Sequence, residues 1–140
     1  RVEQEDQKLR KFEDGSAQVI SALIAVHRAL GPGLLESAYE ACLCRELELR
    51  GFAFERQAPL RIDYRGRAVD CAYRMDVLVE RRLLLELKSV ADLQPLHIAQ
   101  TLTYMRLANV PTGLLVNFNV LSLRKGLRRL SLPQKPFLIF

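Results

Sequence analysis

The sequence predicts one α/β domain in which helices pack against a mixed β-sheet. Two stretches with the apolar spacing of helices come first, at residues 16–30 and 34–50. From residue 52 onwards the pattern is that of strands, with a single helical stretch among them. This order of helix, helix, three strands, helix, strand and strand favours an α/β sandwich whose sheet is antiparallel at first.

The helices are predicted from their apolar spacing and from the residues that end them. The first has apolar residues at helical intervals: Val19, Ile20, Leu23, Ile24 and Leu30. Ser16 is expected as its N-cap, and Gly31-Pro32-Gly33 ends it. The second ends at Gly51, a residue type that suits the position after a helix C-terminus. A third is expected from Pro95 to about residue 108, because Pro suits the first helical turn.

Five segments are predicted as strands, with turn residues between them. These segments are 52–64, 67–79, 83–90, 114–120 and 127–132. The first is expected to break at Ala58-Pro59, and Arg65-Gly66 is a predicted turn. The second segment fits either one strand or two short ones. The last is basic and is expected at an edge of the sheet.

Composition limits the class of protein. The chain has 140 residues, of which 49% are hydrophobic, enough for a sizeable core. We expect an extension over 1–14, a single domain over 15–132 and a tail over 133–140. The net charge of +5 is compatible with a polyanionic partner. Aromatic residues make up 7% and include no Trp, which disfavours a base-stacking platform.

Membrane and secretory classes are disfavoured. No apolar run approaches the roughly 18 to 20 residues that span a bilayer, and the polar, acidic N-terminus differs from a secretory signal. Three cysteines show neither paired metal spacing nor a disulfide framework: Cys42, Cys44 and Cys71. We therefore expect a cytoplasmic protein in a reducing setting, without membrane contact.

Residues 72–79 and 83–88 predict a β-hairpin with a three-residue loop, and its register brings charges together. Asp76 is then opposite Glu86, and Arg74 is opposite Lys88. Because side chains alternate, Asp76, Glu86 and Lys88 share one face. The other face is expected to be core, with Met75, Val77, Val79, Leu85 and Leu87. A two-residue loop would break this pairing.

The facing carboxylates of Asp76 and Glu86 predict a cation. Directly opposed side chains have Cβ atoms roughly 4.5–5.5 Å apart, where two carboxylates repel unless a cation or a shared proton compensates. Mg²⁺ prefers oxygen ligands, and Lys88 would orient or deprotonate a water or stabilise charge on a phosphate. The alternative is a charged ladder on a solvated sheet face. Leu78 and Leu84 on the same face count against that alternative.

Two helical residues near the N-terminus offer further ligands. Glu36 is either a third carboxylate for the metal or an acid that complements the dipole of the second helix. Tyr39 follows three residues later on a neighbouring face. His27 falls on the apolar stripe of the first helix, as a buried core histidine or a ligand.

The third helix carries three polar side chains on one face. Gln100 and Tyr104 are four residues apart, and His97 lies three residues before Gln100. They either line a cleft or form an ordinary half-exposed face. Asn117 and Asn119 alternate onto one face of the next strand, as polar liners or as an edge.

The ordered set of these residues resembles the PD-(D/E)xK nuclease superfamily. Asp76 followed by Glu86-Leu87-Lys88 resembles its signature, with Arg74-Met75 before the Asp instead of Pro. Gln100 and Tyr104 are similar to the QxxxY motif of the RecB-like branch. The stretch 26–39 resembles the GxxExxY family through Gly33, Glu36 and Tyr39, and residues 73–76 and 114–119 also resemble it. The resemblance covers roughly residues 15–130.

The resemblance implies a restriction-endonuclease-like core, α-β-β-β-α-β, in a nuclease-like domain over 15–132. It implies that Asp76, Glu86 and the main-chain carbonyl of Leu87 bind Mg²⁺ or Mn²⁺, with Glu36 completing the site. Lys88 would assist the attacking water, and Gln100 and Tyr104 would position substrate or support the metal site. His27 would be an extra ligand, as in some RecB-like enzymes.

The implied function is a divalent-metal-dependent nuclease that hydrolyses phosphodiester bonds, with DNA expected before RNA. A chain this short leaves little room for a separate recognition domain, so a homodimer or a larger assembly is expected as one option. The alternative is a nucleic-acid- or protein-binding module that keeps the fold without turnover. A toxin–antitoxin or defence component is a third, weaker interpretation.

Overall fold

The structure, a computed structural model, describes residues 15–133. The predicted extension 1–14 and the tail from residue 134 lie outside the described residues. The helices are α1 (Ser16–Leu30), α2 (Glu36–Leu49), α3 (Pro95–Ala108) and the short α4 (Leu123–Gly126). The strands are β1 (Phe54–Pro59), β2 (Ile62–Tyr64), β3 (Arg67–Val69), β4 (Arg74–Val79), β5 (Leu83–Lys88), β6 (Thr112–Asn117) and β7 (Leu127–Ser131).

The main sheet has five strands in the order β1-β4-β5-β6-β7. Neighbours pair antiparallel except β5 and β6, which are parallel because α3 carries the chain back between them. Strands β2 and β3 form a separate two-stranded sheet, inserted in the chain between β1 and β4. The predicted mixed sheet flanked by helices is confirmed. Helix α2, strands β1, β4 and β5, helix α3 and strand β6 reproduce the restriction-endonuclease-like order.

Each face of the sheet has its own hydrophobic core. The larger core lies under α1 and α2 and contains Leu23, Leu43, Val77, Leu85 and Val116 among its members. The smaller core lies under α3 and contains Met75, Leu78, Leu84, Tyr104 and Met105 among its members. Gly113 of β6 lets α3 approach the sheet closely, because a Cβ there would lie 2.6 Å from the sulfur of Met105. This close approach packs α3 on β6.

Several elements differ from the sequence-based expectation. The N-cap of α1 is Gly15, at a φ of 73°, and not Ser16, which is the first helical residue. By contrast, the expected break at Ala58-Pro59 and the division of 67–79 into two short strands are confirmed, since the chain leaves the main sheet after Pro59 and returns at Arg74. Helix α4 was not predicted, because its four residues are too few to show a helical period.

Within residues 15–133, no helix combines the length and the apolar character needed to cross a membrane.

Candidate active site

The hairpin of β4 and β5 has the predicted register. Val79 pairs with Leu83, and Val77 pairs with Leu85, around the loop 80–82. Glu80 and Arg81 adopt left-handed backbone conformations, with φ of 53° and 55°. The regular ladder stops at Val77, so the backbones separate where the charged residues begin.

Beyond that point, the side chains of Asp76 and Glu86 replace the ladder bonds. The backbone N–H of Asp76 donates to Oε1 of Glu86 at 3.3 Å. The backbone N–H of Leu87 donates to Oδ2 of Asp76 at 2.8 Å. Each carboxylate therefore accepts a hydrogen bond from the opposite strand, and the two acids are held side by side.

The electrostatics of this pair disfavour two negative charges. Glu86 has an exposed fraction of 5%. Burial raises the pKa of Glu86 to about 8, and the charge of Asp76 adds to the rise. Lys88 acts in the opposite direction and lowers this pKa. At neutral pH the metal-free pair thus holds a proton, which a cation would replace.

The strand alternation breaks at Asp76, which corrects the expected position of Met75. Met75 was predicted to share a core with Val77, but it packs on the opposite face with Leu78 and Leu84. The position of β1 opposite Asp76 is Gln57, which has a φ of 51° and is skipped by the β1–β4 ladder. A left-handed residue does not continue a pleated strand, so the strict alternation is lost there.

Gln57 links Asp76 to a buried acid that the sequence analysis missed. Its Nε2 donates to Oε1 of Glu40 at 2.6 Å and to Oδ1 of Asp76 at 3.4 Å. Arg56 donates to the other oxygen of Glu40 at 2.8 Å. Glu40 lies four residues after Glu36, on the same face of α2. The spacing of Glu36 and Glu40 could have indicated that the two acids share a helix face. Only the structure shows that this face contacts β1.

Glu36 is placed near the end of β5. Its Oε1 accepts a hydrogen bond from the backbone N–H of Ser89 at 3.3 Å, one residue beyond Lys88. Ser89 also donates its hydroxyl to the carbonyl of Leu34 at 2.6 Å. Among residues 15–133, no three His, Cys, Asp or Glu side chains are grouped closely enough to hold a metal. Asp76 and Glu86 are in contact, while Glu36 as a third ligand stays a prediction.

Tyr39 closes the loop between α1 and α2. Its hydroxyl donates to the carbonyl of Gly31 at 2.6 Å and accepts the N–H of Leu34 at 3.1 Å. The ring is fully buried and stacks on Phe118, with centroids 4.3 Å apart and planes 7° from parallel. Gly33 has a φ of 97° in this loop, a conformation that favours glycine. These contacts give Tyr39 a structural role.

His27 is held by the segment that follows β6. Its Nε2 donates to the carbonyl of Val120 at 2.8 Å, and the exposed fraction of the residue is 7%. This is the geometry of a hydrogen-bonded buried histidine. The role of His27 as an extra metal ligand stays a prediction.

Gln100 and Tyr104 lie on α3, and Tyr104 interacts electrostatically with the acidic pair. Nε2 of Gln100 donates to the Tyr104 hydroxyl at 3.3 Å. Burial raises the pKa of Tyr104, and the charge of Glu86 is the next cause. Tyr104 therefore lies within electrostatic reach of the carboxylates. His97 instead accepts the N–H of Gln94 on its Nδ1 at 2.9 Å and caps the start of α3.

Asn117 fixes the chain beyond Lys88. Its amide bonds both the N–H and the carbonyl of Val90, at 3.0 and 2.9 Å, and Asn119 donates to the same carbonyl at 3.3 Å. The N–H of Phe118 donates to the Lys88 carbonyl at 2.9 Å. Gly126 is required beside this clamp, since a Cβ there would collide with the Asn117 carbonyl. The backbone that carries Lys88 is thus held on its β6 side.

Comparison with known proteins gives one match. The family model described as the PD-(D/E)XK nuclease superfamily matches residues 13–130, which is most of the chain. The search of curated proteins and the search of solved structures found no match. The matched range includes both strands of the hairpin and the helix that carries Gln100 and Tyr104.

Proposed function

Because the chain belongs to the PD-(D/E)XK nuclease superfamily, we propose that it hydrolyses phosphodiester bonds of nucleic acid with a divalent cation bound at Asp76 and Glu86. The observation that carries this proposal is the pair of side-by-side carboxylates at the end of the hairpin. DNA is the proposed substrate. Within the superfamily we place the chain in the GxxExxY family of the RecB-like branch, on the motif residues already named.

The residues at this site fit a hard cation. Carboxylate oxygens are the ligands that Mg²⁺ and Mn²⁺ prefer, and Mg²⁺ often takes only one or two of them. Burial next to Asp76 disfavours the charged form of Glu86, as its raised pKa indicates. Asp76, Glu86 and the main-chain carbonyl of Leu87 would hold the ion. When bound, such an ion supplies Lewis acidity towards a phosphate oxygen and lowers the pKa of a bound water.

The other residues of the site would bind and orient the reactants. Lys88 is half-buried, follows Glu86 on the same face, and has its backbone fixed by Phe118. We assign it the orientation of the attacking water or the stabilisation of charge on the phosphate. Gln100 and Tyr104 would position the substrate strand from α3. Glu36 would turn from Ser89 towards the ion as a further ligand.

The wider setting is proposed on the same basis. The net charge of +5 suits a nucleic acid as partner. The described cysteines are free thiols, which fits the proposed reducing cytoplasm. A homodimer or a larger assembly would supply the recognition surface that a domain of this size lacks.

A second candidate function is a binding module without turnover. Its support is that Glu36, His27 and His97 each have a hydrogen bond to the protein itself. The described residues also contain no group of three such ligands. A protein of this kind would bind nucleic acid or a protein partner through the same face and leave phosphodiester bonds intact.

The test of the proposed function is a cleavage assay on plasmid, linear and single-stranded DNA and on RNA, in Mg²⁺, Mn²⁺ or EDTA. We expect cleavage that requires the metal and is abolished in Asp76→Ala. Glu48→Gln is the matched control, since Glu48 is an exposed acid on α2 paired with Arg45. Cleavage that persists in Asp76→Ala, or its absence from wild type under every condition, would overturn the proposal.

A further inference from the structure

A mostly apolar pocket on the α3 side of the sheet includes Tyr104, whose pKa is raised by burial and by the charges of Glu86 and Asp76. Its volume is about 370 Å³, at the lower end of the roughly 300–1,000 Å³ range of small-ligand sites. It is formed between α3 and the segment that connects β1 to β4. Tyr73, Tyr104, Gln100, Leu96 and Ile62 are among the lining residues. Tyr104 thus belongs both to this pocket and to the surroundings of Asp76 and Glu86.

The walls of the pocket suit a flat aromatic group. Tyr73 has an exposed fraction of 47%, and its ring lies 6.1 Å from that of Tyr104 at an angle of 59°. Leu96 forms an apolar rim, with an exposed fraction of 76%. The amide of Gln100 donates to Tyr104, and the Gln100 side chain is exposed at the edge of the pocket, where its Oε1 could accept a hydrogen bond. The pocket therefore combines an open ring face with one polar acceptor at its edge.

The surroundings of the pocket carry more cations than acids, and the acid of the adjacent ribbon, Asp63, is paired with Arg61. The β2–β3 ribbon, residues Ile62–Val69, extends next to it and carries exposed Arg65 and Arg67. Arg74 follows Tyr73 directly and is also exposed. Their charges complement the phosphates on either side of a base in a nucleic-acid strand. An aromatic pocket with cations around it fits a nucleotide better than an apolar peptide.

We propose that this pocket binds one unpaired nucleobase of the substrate strand, stacked on Tyr73 with its edge at Gln100. The inference deepens the proposed function and rests on it, since the base would belong to the strand whose phosphate meets the acidic pair. A base inside a duplex must be unpaired and unstacked at a cost of a few kcal/mol before it enters such a pocket. The substrate class is therefore single-stranded DNA or a frayed or overhanging DNA end.

This single stacking position is compatible with the low aromatic content of the chain. Proteins that bind single strands without sequence preference stack successive bases on several aromatic side chains. Here the exposed ring of Tyr73 contacts Tyr104, which in turn interacts electrostatically with the acidic pair. It would fix the position of one nucleotide relative to the acidic pair.

The test uses single-stranded oligodeoxynucleotides with 2-aminopurine at successive positions, in EDTA so that no cleavage occurs. We expect quenching at one position in wild type and tighter binding of the single strand than of the matched blunt duplex. Tyr73→Ala should weaken single-strand binding about tenfold, within the range of stacking one base, and abolish the quenching. Tyr73→Phe should retain both. Leu49→Ala, an exposed apolar residue at the end of α2, is the control and should match wild type.

The outcomes separate this inference from the proposed function. Unchanged binding in Tyr73→Ala, or a blunt duplex bound as tightly as the single strand, would overturn the base pocket. Metal-dependent cleavage could still be present in that case and would leave the nuclease proposal standing. Position-specific quenching that depends on Tyr73, without cleavage in any metal, would support the pocket and overturn the nuclease proposal.

Discussion

The two faces of the sheet use their motif residues for different purposes. On the α2 side, Tyr39 and Glu36 are hydrogen-bonded to backbone groups of the loop before α2 and of the end of β5. On the α3 side, Asp76 and Glu86 are pressed together, and burial raises the pKa of Glu86 to about 8. Both sets contribute to the family resemblance. Only the second is held in an arrangement that is costly without a ligand.

This difference indicates that some motif residues stabilise the fold and others are arranged for binding or catalysis. A polar side chain that satisfies buried backbone groups stabilises the fold, and its loss leaves those groups unpaired. Neighbouring carboxylates with a shifted pKa are typical of sites that bind a cation or transfer a proton. The comparison therefore predicts that loss of the Tyr39 hydroxyl reduces stability, whereas substitutions at the acidic pair reduce activity.

Among substitutions outside the acidic pair, the largest expected effect is that of Lys88→Ala on cleavage. We expect the rate at saturating DNA to fall about 10²- to 10³-fold, because a positioned charged group would be lost from the reacting phosphate. Cation binding at Asp76 and Glu86 should persist. Lys125→Ala is the matched control, since Lys125 is an exposed lysine of α4. If Lys88→Ala cleaves within a few-fold of the wild-type rate, Lys88 does not take part in the reaction.

The next effect concerns stability and pH. The pKa of Glu86 in the folded protein, about 8, is above its ordinary value of 4.5, so protonation of Glu86 favours the folded state. In metal-free buffer, this contribution is fully present below about pH 4.5 and is lost as the pH rises to about 8. Glu86→Gln should remove this dependence and stabilise the protein by a few kcal/mol at pH 8.

Urea unfolding at pH 6, 7 and 8 measures that effect. Mg²⁺ or Mn²⁺ should restore part of the wild-type stability at pH 8 and should leave Glu86→Gln unchanged. A parallel pH dependence of wild type and Glu86→Gln would show that Glu86 is not the titrating group.

Tyr39→Phe tests the architectural side of the comparison. The substitution keeps the ring stack on Phe118 but removes the partner of the Gly31 carbonyl and of the Leu34 N–H. We expect a loss of about 1–3 kcal/mol in the free energy of unfolding. Cleavage per folded molecule should remain close to wild type at a temperature where both are folded. If Tyr39→Phe loses cleavage while its stability is unchanged, Tyr39 has a role in the active site and not in the architecture.

The smallest expected effect is that of Gln57→Ala, at the link between the two sides. The amide joins Asp76 to buried Glu40, so its removal should cost about 1 kcal/mol of stability and lower cleavage several-fold. Glu48→Gln serves as the control, since Glu48 is an exposed acid of α2 paired with Arg45. Equal cleavage by wild type and Gln57→Ala would show that Asp76 is positioned by the hairpin alone.

Much of this arrangement was accessible from the sequence. The three-residue loop and the alternation of charged and apolar residues predicted the register that places Asp76 beside Glu86, and the structure confirms it. The helical period of the apolar residues also predicted α1, and Pro95 predicted the start of α3. These features depend on local spacing, which a sequence displays directly.

The remainder depends on tertiary contacts. The left-handed conformation of Gln57, the displaced side chain of Met75 and the link to Glu40 arise where β1, β4 and α2 meet. The pocket at Tyr73 forms only when the segment before β4 packs on α3. Local pattern contains no information about which distant segments meet, so these features were absent from the sequence-based prediction.

The most direct test of the central claim is calorimetric titration of the metal-free protein with Mn²⁺ and Mg²⁺, alone and with a DNA duplex, beside Asp76→Ala and Glu48→Gln. The account predicts binding by wild type and by Glu48→Gln that Asp76→Ala abolishes. Absence of metal binding in wild type even with DNA, or equal binding by Asp76→Ala, would contradict a metal site at the end of the hairpin.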